Sequence, residues 1–319
     1  MRDVLLVSLG GTTGLREADA ELAASLQRAG ASVEVAAVPR VREWRTMAAI
    51  ELAWALSARR ATQGAGEARA VLYSSTTAGL LAPRPGAIRF DAPAAGNRPG
   101  RHGLWQRPVE RRRFREASLL VPWSAGGLAE APTPHADAVV VPVPVEASGP
   151  RGERDIAAIT YGAHPEKKGL DRVLAAWAAA RREGEELVVA GLAGTDIEGV
   201  RFAGALPREE YRALLRRARV FVTAPRREDH GIAQLEALAD GAMLVTAPSP
   251  GPYAALPIAR ALDPRLVTGD LATSIRAALD EPAEGYAERA AQALRPYSHA
   301  EVDRLVADVL LPRLLDSGR

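Results

Sequence analysis

Asp3–Leu9 reads DVLLVSL, Gly10–Gly14 reads GGTTG, and the stretch LREADAELAASLQRAG that follows carries apolar residues at helical spacing up to Gly30. A continuous apolar run of strand length marks a strand covered on both faces. Gly30 closes the helix, and Ser32–Val38 (SVEVAAV) reads as a second strand. Strand, glycine loop, helix and strand make a βαβ unit, which implies a parallel sheet with helices on both faces.

Outward from that unit the alternation persists. A helix is expected around Trp44–Arg60, strands at Ala70–Ser74 and Gly86–Asp91, a loop at Pro99–Gly103 and a helix at Val109–Glu116. Ser118–Pro122 and Ala138–Val143 read as the last strands of this half, before the linker around Ser148-Gly149-Pro150-Arg151-Gly152. A second series then begins. Strands are expected at Asp155–Tyr161, Glu186–Ala190, Gly199–Phe202, Ala218–Thr223 and Met243–Ala247. Helices are expected at Gly169–Arg182, Arg208–Arg217 and Ile232–Asp240. The fold class is therefore α/β, with two Rossmann-like halves facing a cleft: residues 1–148 and 149–298. Ala300–Leu315 is amphipathic, follows a Pro-Tyr-Ser break, and is expected to pack away from the half that precedes it.

Composition narrows the function classes. Among 319 residues, 41 Lys and Arg against 39 Asp and Glu leave a formal charge of +2, with no electrostatic footprint for nucleic acid. Hydrophobic residues at 47% and charged residues at 25% describe a globular chain, not a disordered one. The absence of cysteine excludes disulfides, thiolate metal sites and a cysteine nucleophile. No apolar run approaches the ~20 residues that span a bilayer. The opening MRDVLLVSLGG reads as a buried strand and not as a signal peptide, so a cytoplasmic location is expected.

Three places carry chemistry. The loop at Gly10 and Gly11 lies between strand and helix, where backbone N–H groups suit an anion; a tight turn without a ligand fits equally well. Lys167-Lys168-Gly169 follows a strand and is read as opening a helix, so that ammonium groups and helix amides would meet a diphosphate. Glu228 ends a strand-to-helix loop, and Glu236 follows in an apolar, small-residue helix. A carboxylate there must be paired or hydrogen-bonded. A ligand with vicinal hydroxyls such as a ribose accounts for it; a structural salt bridge is the alternative.

On these residues the second half resembles the retaining glycosyltransferases of family 4, which have the GT-B fold. Three blocks carry the resemblance: Ile159–Asp171 (ITYGAHPEKKGLD), Val200–Val222 (VRFAGALPREEYRALLRRARVFV) and Thr223–Val245, with its two glutamates eight residues apart. The first half is similar only in its first βαβ unit and in Ala117–Glu146. The resemblance implies a GT-B architecture whose C-terminal helix, within 299–319, crosses back to the first domain. It implies an acceptor role for the first domain and a donor role for the second.

Residue by residue, the resemblance implies that Lys168 holds the donor diphosphate and Glu228 contacts the donor sugar. The backbone of His230, Gly231 and Ile232 would face sugar or diphosphate, and Glu236 would take both ribose hydroxyls. Arg201 and Phe202 would lie at the nucleotide base. The family carries an arginine where this sequence has Ala163, a departure that leaves Arg201, Arg226 or Arg227 to supply the missing charge. Where the family shows a histidine after the fourth strand, this sequence has Asp91, read as a sugar or acceptor contact; His102 reads as a surface loop residue.

The implied activity is transfer of a sugar from a UDP- or GDP-type donor to an acceptor hydroxyl on a glycan, a lipid-linked molecule or a small molecule. Configuration is retained, and the only cofactor-like molecule is the donor itself, with no metal. A GT-B sugar-nucleotide epimerase and a non-catalytic GT-B binding protein are the alternatives. The basic, aromatic stretch 105–115 reads either as a solvated helix face or as a peripheral contact with the inner face of a membrane.

Overall fold

The computed structural model describes residues 1–41, 45–98 and 100–316, and of Thr13 and His102 the backbone alone. Trp44, Pro99 and the His102 side chain lie outside the described residues. Packing divides the chain into two units: Met1–Pro144 with the segment from His299 onward, and Val145–Ser298.

In the first unit the chain runs β1 (Arg2–Ser8), α1 (Thr13–Arg28), β2 (Val33–Ala37), α2 (Met47–Gly64) and β3 (Ala68–Tyr73). It continues through α3 (Thr76–Gly79), β4 (Ala87–Phe90), α4 (Ala94–Asn97), α5 (Gln106–Glu116), β5 (Leu120–Pro122) and α6 (Ala125–Ala129). The strands form one parallel sheet in the order β2-β1-β3-β4-β5. The apolar run of β1 is explained by its two faces. Val4 and Leu6 pack with Leu22 and Leu26 of α1, whereas Leu5 and Val7 pack with Ala58 of α2 and Phe114 of α5.

The expected strand at Ala138–Val143 is not one. Val139 and Val141 donate their N–H groups to Leu120 and Pro122, but only an isolated bridge, Leu120 to Ala138, forms. Pro122 and Pro142 have no N–H to donate, so a ladder cannot propagate.

The second unit contains β6 (Ile156–Tyr161), α7 (Pro165–Lys168), α8 (Leu170–Ala180), β7 (Leu187–Ala190), β8 (Val200–Gly204), α9 (Arg208–Arg217) and β9 (Ala218–Thr223). Then come α10 (Ile232–Ala239), β10 (Met243–Thr246), α11 (Ala255–Leu262), α12 (Leu271–Asp280) and α13 (Tyr286–Ala293). Its parallel sheet has the order β10-β9-β6-β7-β8. This is the doubly wound arrangement, in which the winding direction reverses between β6 and β9. Ligands of such sheets lodge beyond the carboxyl ends of the strands at that reversal.

The chain then returns to the first unit through α14 (His299–Leu305), a single π-turn and α15 (Leu311–Asp316). Val302, Val306, Leu310 and Leu314, every fourth residue, enter the core that holds Val4, Leu6, Leu22 and Leu26. Asp303 anchors the segment by accepting from Ser25 at 2.5 Å and from the Arg28 guanidinium at 2.7 Å. The crossing-back of the C-terminal helix is thus a feature of the fold. Among the described residues no helix is long and apolar enough to cross a membrane.

Candidate functional site

The loops that leave β6 and β9 meet at the reversal point of the second sheet. The loop after β6 ends in the single turn α7, so Lys167 and Lys168 close a helix and do not open one. Gly169 separates α7 from α8 at φ +63°, and a Cβ on it would lie 2.0 Å from the Ala224 carbonyl oxygen. Only glycine allows the two loops to approach so closely. Across the gap, the Arg226 N–H donates to the Lys167 carbonyl, and the Glu228 N–H donates to Pro250.

Two buried carboxylates are held there by three cations. Lys168 Nζ donates to Glu228 Oε2 at 2.7 Å, and Gln234 Nε2 of α10 donates to the same oxygen at 2.9 Å. Beside it, Asp229 accepts from Lys167 Nζ at 2.6 Å and from Arg227 Nε at 2.9 Å. Both carboxylates are buried, while the Lys167 side chain is 49% exposed and that of Lys168 20%. Three cations thus bind two carboxylates, and the site is open to solvent on the lysine side. Such an arrangement can receive an anion by exchanging carboxylate partners for ligand oxygens.

Gly231, at φ +88°, turns the chain into α10, and a Cβ there would meet the Tyr253 ring at 2.9 Å. His230, just before it, is buried. Ile232 begins α10, so its N–H is among the unsatisfied donors of that helix N-terminus. Glu236, one helical turn further, is buried and accepts from Arg208 at 2.6 Å and Arg212 at 3.4 Å, both on α9. Arg212 also binds Asp240 at 2.6 Å and the Glu146 carbonyl at 2.7 Å. The Tyr211 phenol lies buried in the same group; burial and then the Glu236 charge push its pKa well above the usual tyrosine range.

Two of the arginines singled out in the sequence are engaged elsewhere. Arg226 is bidentate to Asp171 at 2.9 and 3.0 Å on the exposed surface, and Arg201 donates to Glu186 at 2.9 Å. Neither joins the lysines, whereas Arg227 does. The Phe202 ring sits against Gly194 in the loop that leaves β7, and its N–H donates to Asp196.

Gly10, Gly11 and Asp91 belong to the first unit. Gly10 adopts φ +55°, and its carbonyl accepts from Arg16 at 2.9 Å. Thr12 caps α1 by accepting from the Leu15 N–H. Asp91 follows β4, and its Oδ1 accepts from the Ala92 N–H at 2.7 Å. In the 105–115 stretch, Phe114 is buried, Arg107 and Arg113 donate to backbone carbonyls, and Arg111, Arg112 and Arg115 are exposed.

Residues 155–281 match the family model of the glycosyl transferases, group 1. The group 1 match thus spans the sheet, the lysine loop and both glutamates of the second unit. Solved structures resemble the whole described fold. Sucrose-phosphate synthase from Thermosynechococcus elongatus aligns over 97% of this chain and 98% of its own, at 14% identity and a TM-score of 0.72. The Anabaena protein HepE, in complex with UDP-glucose, aligns over 97% and 99%, at 14% identity and 0.71. WaaG, a glycosyltransferase of lipopolysaccharide biosynthesis, aligns over 96% and 98%, at 16% identity and 0.69. At these identities the likeness is one of fold, and the fold is GT-B. No curated protein matches the sequence.

Within the group 1 segment, sequence reasoning passed over Asp229, Gln234, Arg208 and Arg212. A signal for the last two was present: Arg208 and Arg212 are four residues apart on α9, on the stripe that continues to the buried Leu215. A charge on a core-facing stripe requires a buried partner.

Proposed function

We propose that this protein is a glycosyltransferase that moves a sugar from a nucleoside diphosphate donor to an acceptor hydroxyl, with retention at the anomeric carbon. The observation that carries the reading is the Lys168–Glu228 pair at the reversal point of the second sheet. There a cation and a carboxylate are pre-positioned where a ligand of this architecture binds.

In this reading the donor diphosphate takes the Lys168 and Lys167 ammonium groups, with Arg227 as the further cation that Ala163 does not provide. As the glycosidic bond lengthens, negative charge gathers on the departing diphosphate, and these fixed cations stabilise it in the transition state. Glu228, released from Lys168, accepts hydrogen bonds from hydroxyls of the donor sugar while Gln234 keeps its carboxylate oriented. Glu236 accepts the ribose hydroxyls in exchange for the half-exposed Arg208. A donor phosphate oxygen takes the acceptor proton on the face that the leaving group vacates, so no protein nucleophile is required. The group 1 match over residues 155–281 supports this assignment of the second unit as the donor domain.

The test is turnover of UDP-, GDP- and ADP-sugars with a panel of hydroxyl acceptors, with the anomeric configuration of the product read by proton NMR. Acceptor-dependent release of nucleoside diphosphate with a retained anomer supports the reading. Release or epimerisation without an acceptor, or binding without turnover, would replace it by the epimerase or the binding protein.

A further inference from the structure

The formal charge of +2 conceals an uneven distribution. Residues 45–119 carry 13 arginines against five carboxylates, so the rest of the chain is negative. Much of this segment builds one layer. α2, α3 and α5 cover the same face of the first sheet, where Ala58, Ala78 and Phe114 pack in one core with Leu5, Val7 and Ile88. The two longer helices also hold one strip of chain between them. Arg59 of α2 donates to the Leu81 carbonyl at 3.4 Å, and Arg113 of α5 donates to the Leu80 carbonyl at 3.0 Å.

Helical period decides what each helix turns away from the sheet. α2 buries Glu51, Ala55, Ala58 and Thr62. Its opposite stripe carries Leu52 and Leu56, 42% and 39% exposed, and then the exposed Arg59 and Arg60. Arg45, also exposed, lies just before the helix. α5 buries Gln106, Glu110 and Phe114 and turns Arg111, Arg112 and Arg115 outward. Glu51 and Glu110 thus sit on the inner stripes. Glu116 is the one carboxylate that these two helices expose, and it pairs with Arg112 at 2.7 Å. Among the described residues Arg60, Arg111 and Arg115 have no ion-pair partner. The outer surface of the layer therefore joins two exposed leucines to a field of arginines.

We propose that the outer surface of α2 and α5 docks on an anionic lipid bilayer, with Leu52 and Leu56 laid into the headgroup boundary. Charge complementarity selects the partner. Arginines spread over two helices suit a continuous negative surface, and guanidinium forks match headgroup phosphates. Two leucines one helical turn apart, bracketed by Arg45 on one side and by Arg59 and Arg60 on the other, form the apolar stripe of an interfacial helix. The inference does not rest on the proposed sugar transfer, and all of its residues belong to the first unit.

The experiment is co-sedimentation of the full chain with vesicles of phosphatidylcholine alone and of phosphatidylcholine with about one-third phosphatidylglycerol. Wild type should bind the mixed vesicles at least about tenfold more tightly, and added salt should weaken that binding. Arg60→Gln combined with Arg115→Gln should weaken it by about tenfold or more. Arg260→Gln combined with Arg295→Gln makes the same charge change at exposed positions of the second unit and should leave it unchanged. Leu52→Gln combined with Leu56→Gln should weaken binding several-fold with the salt dependence kept. Should a double variant not fold by circular dichroism, its single substitutions take its place, each with about a threefold loss expected. No preference for the anionic vesicles overturns the proposal, as does equal weakening by the two arginine pairs. Undiminished binding in the folded leucine variants also overturns it, leaving a face that acts by charge alone, as one for an acidic protein would.

Discussion

Lys168 and Glu228, 60 residues apart in the chain, meet at 2.7 Å where the loops after β6 and β9 converge. The contact is conditional on Gly169, whose missing side chain lets the lysine loop lie against Ala224. It closes a buried carboxylate under a partly exposed ammonium, so the charge that would bind a diphosphate is stored as an internal pair.

Separate removal of the two partners is expected to be costlier than joint removal. Lys168→Met leaves Glu228 buried with Gln234 as its remaining side-chain donor, and a broken buried pair costs about 3–5 kcal/mol. Lys168→Met combined with Glu228→Gln removes both charges and should recover about 1–3 kcal/mol of that loss. Urea denaturation of the four proteins of the cycle reads the coupling. Strictly additive losses would mean that the pair is incidental.

Glu236→Gln should both destabilise and raise the donor KM. Arg212 retains Asp240 at 2.6 Å and the Glu146 carbonyl, and the half-exposed Arg208 rehydrates. The expected stability loss is therefore about 1–3 kcal/mol, below that of a stranded buried cation. Glu228→Gln, at the residue proposed to contact the donor sugar, should instead lower kcat. An early-melting Glu236→Gln with unchanged donor affinity would assign that carboxylate to structure alone.

Gly169→Ala should disrupt the lysine loop without touching a charged residue. The left-handed backbone costs a non-glycine residue about 1–2 kcal/mol, and the new Cβ must displace the Ala224 carbonyl. Thermal melts should fall, and donor affinity should fall with them. A variant with wild-type affinity would show that the close approach of the two loops is not needed for binding.

In the first unit, burial pushes the Glu110 carboxyl up to about 7, against hydrogen bonds from the Ala94 N–H and Thr76, with Arg98 favouring and Glu51 opposing its charge. Its folded pKa exceeds its unfolded value of about 4.5, so its contribution to stability is complete below pH 4.5. That contribution is lost as pH rises towards 7, by about 3 kcal/mol in all. Glu110→Gln should flatten the stability profile over that window. An unchanged slope would remove Glu110 as its source.

Legibility in the sequence followed where local chemistry decides. The apolar run of β1, the helix Arg208–Arg217 and the core-facing C-terminal stripe were readable because burial period and chain position agree. Lys168, Glu228 and Gly231 were readable because each sits at a strand-to-helix junction. Partner choice was not. Nothing along the chain tells that Arg226 turns to Asp171, that Arg201 pairs with Glu186, or that α9 supplies the partners of Glu236. Those choices are fixed by sheet register and helix packing across tens of residues. The same holds for Ala138–Val143, whose apolar pattern is that of a strand but whose ladder the prolines stop.

Whether a nucleoside diphosphate sits on the lysine loop is tested most directly by calorimetric titration of UDP, GDP and ADP, each against its nucleoside, into wild type and Lys168→Met. One diphosphate should bind wild type at least about 100-fold more tightly than its nucleoside, equivalent to about 2.7 kcal/mol of phosphate contacts. In folded Lys168→Met that advantage should shrink by tenfold or more, with nucleoside affinity unchanged. Equal diphosphate affinity in the two proteins, or no diphosphate binding to wild type, would contradict the assignment of this loop as the donor site.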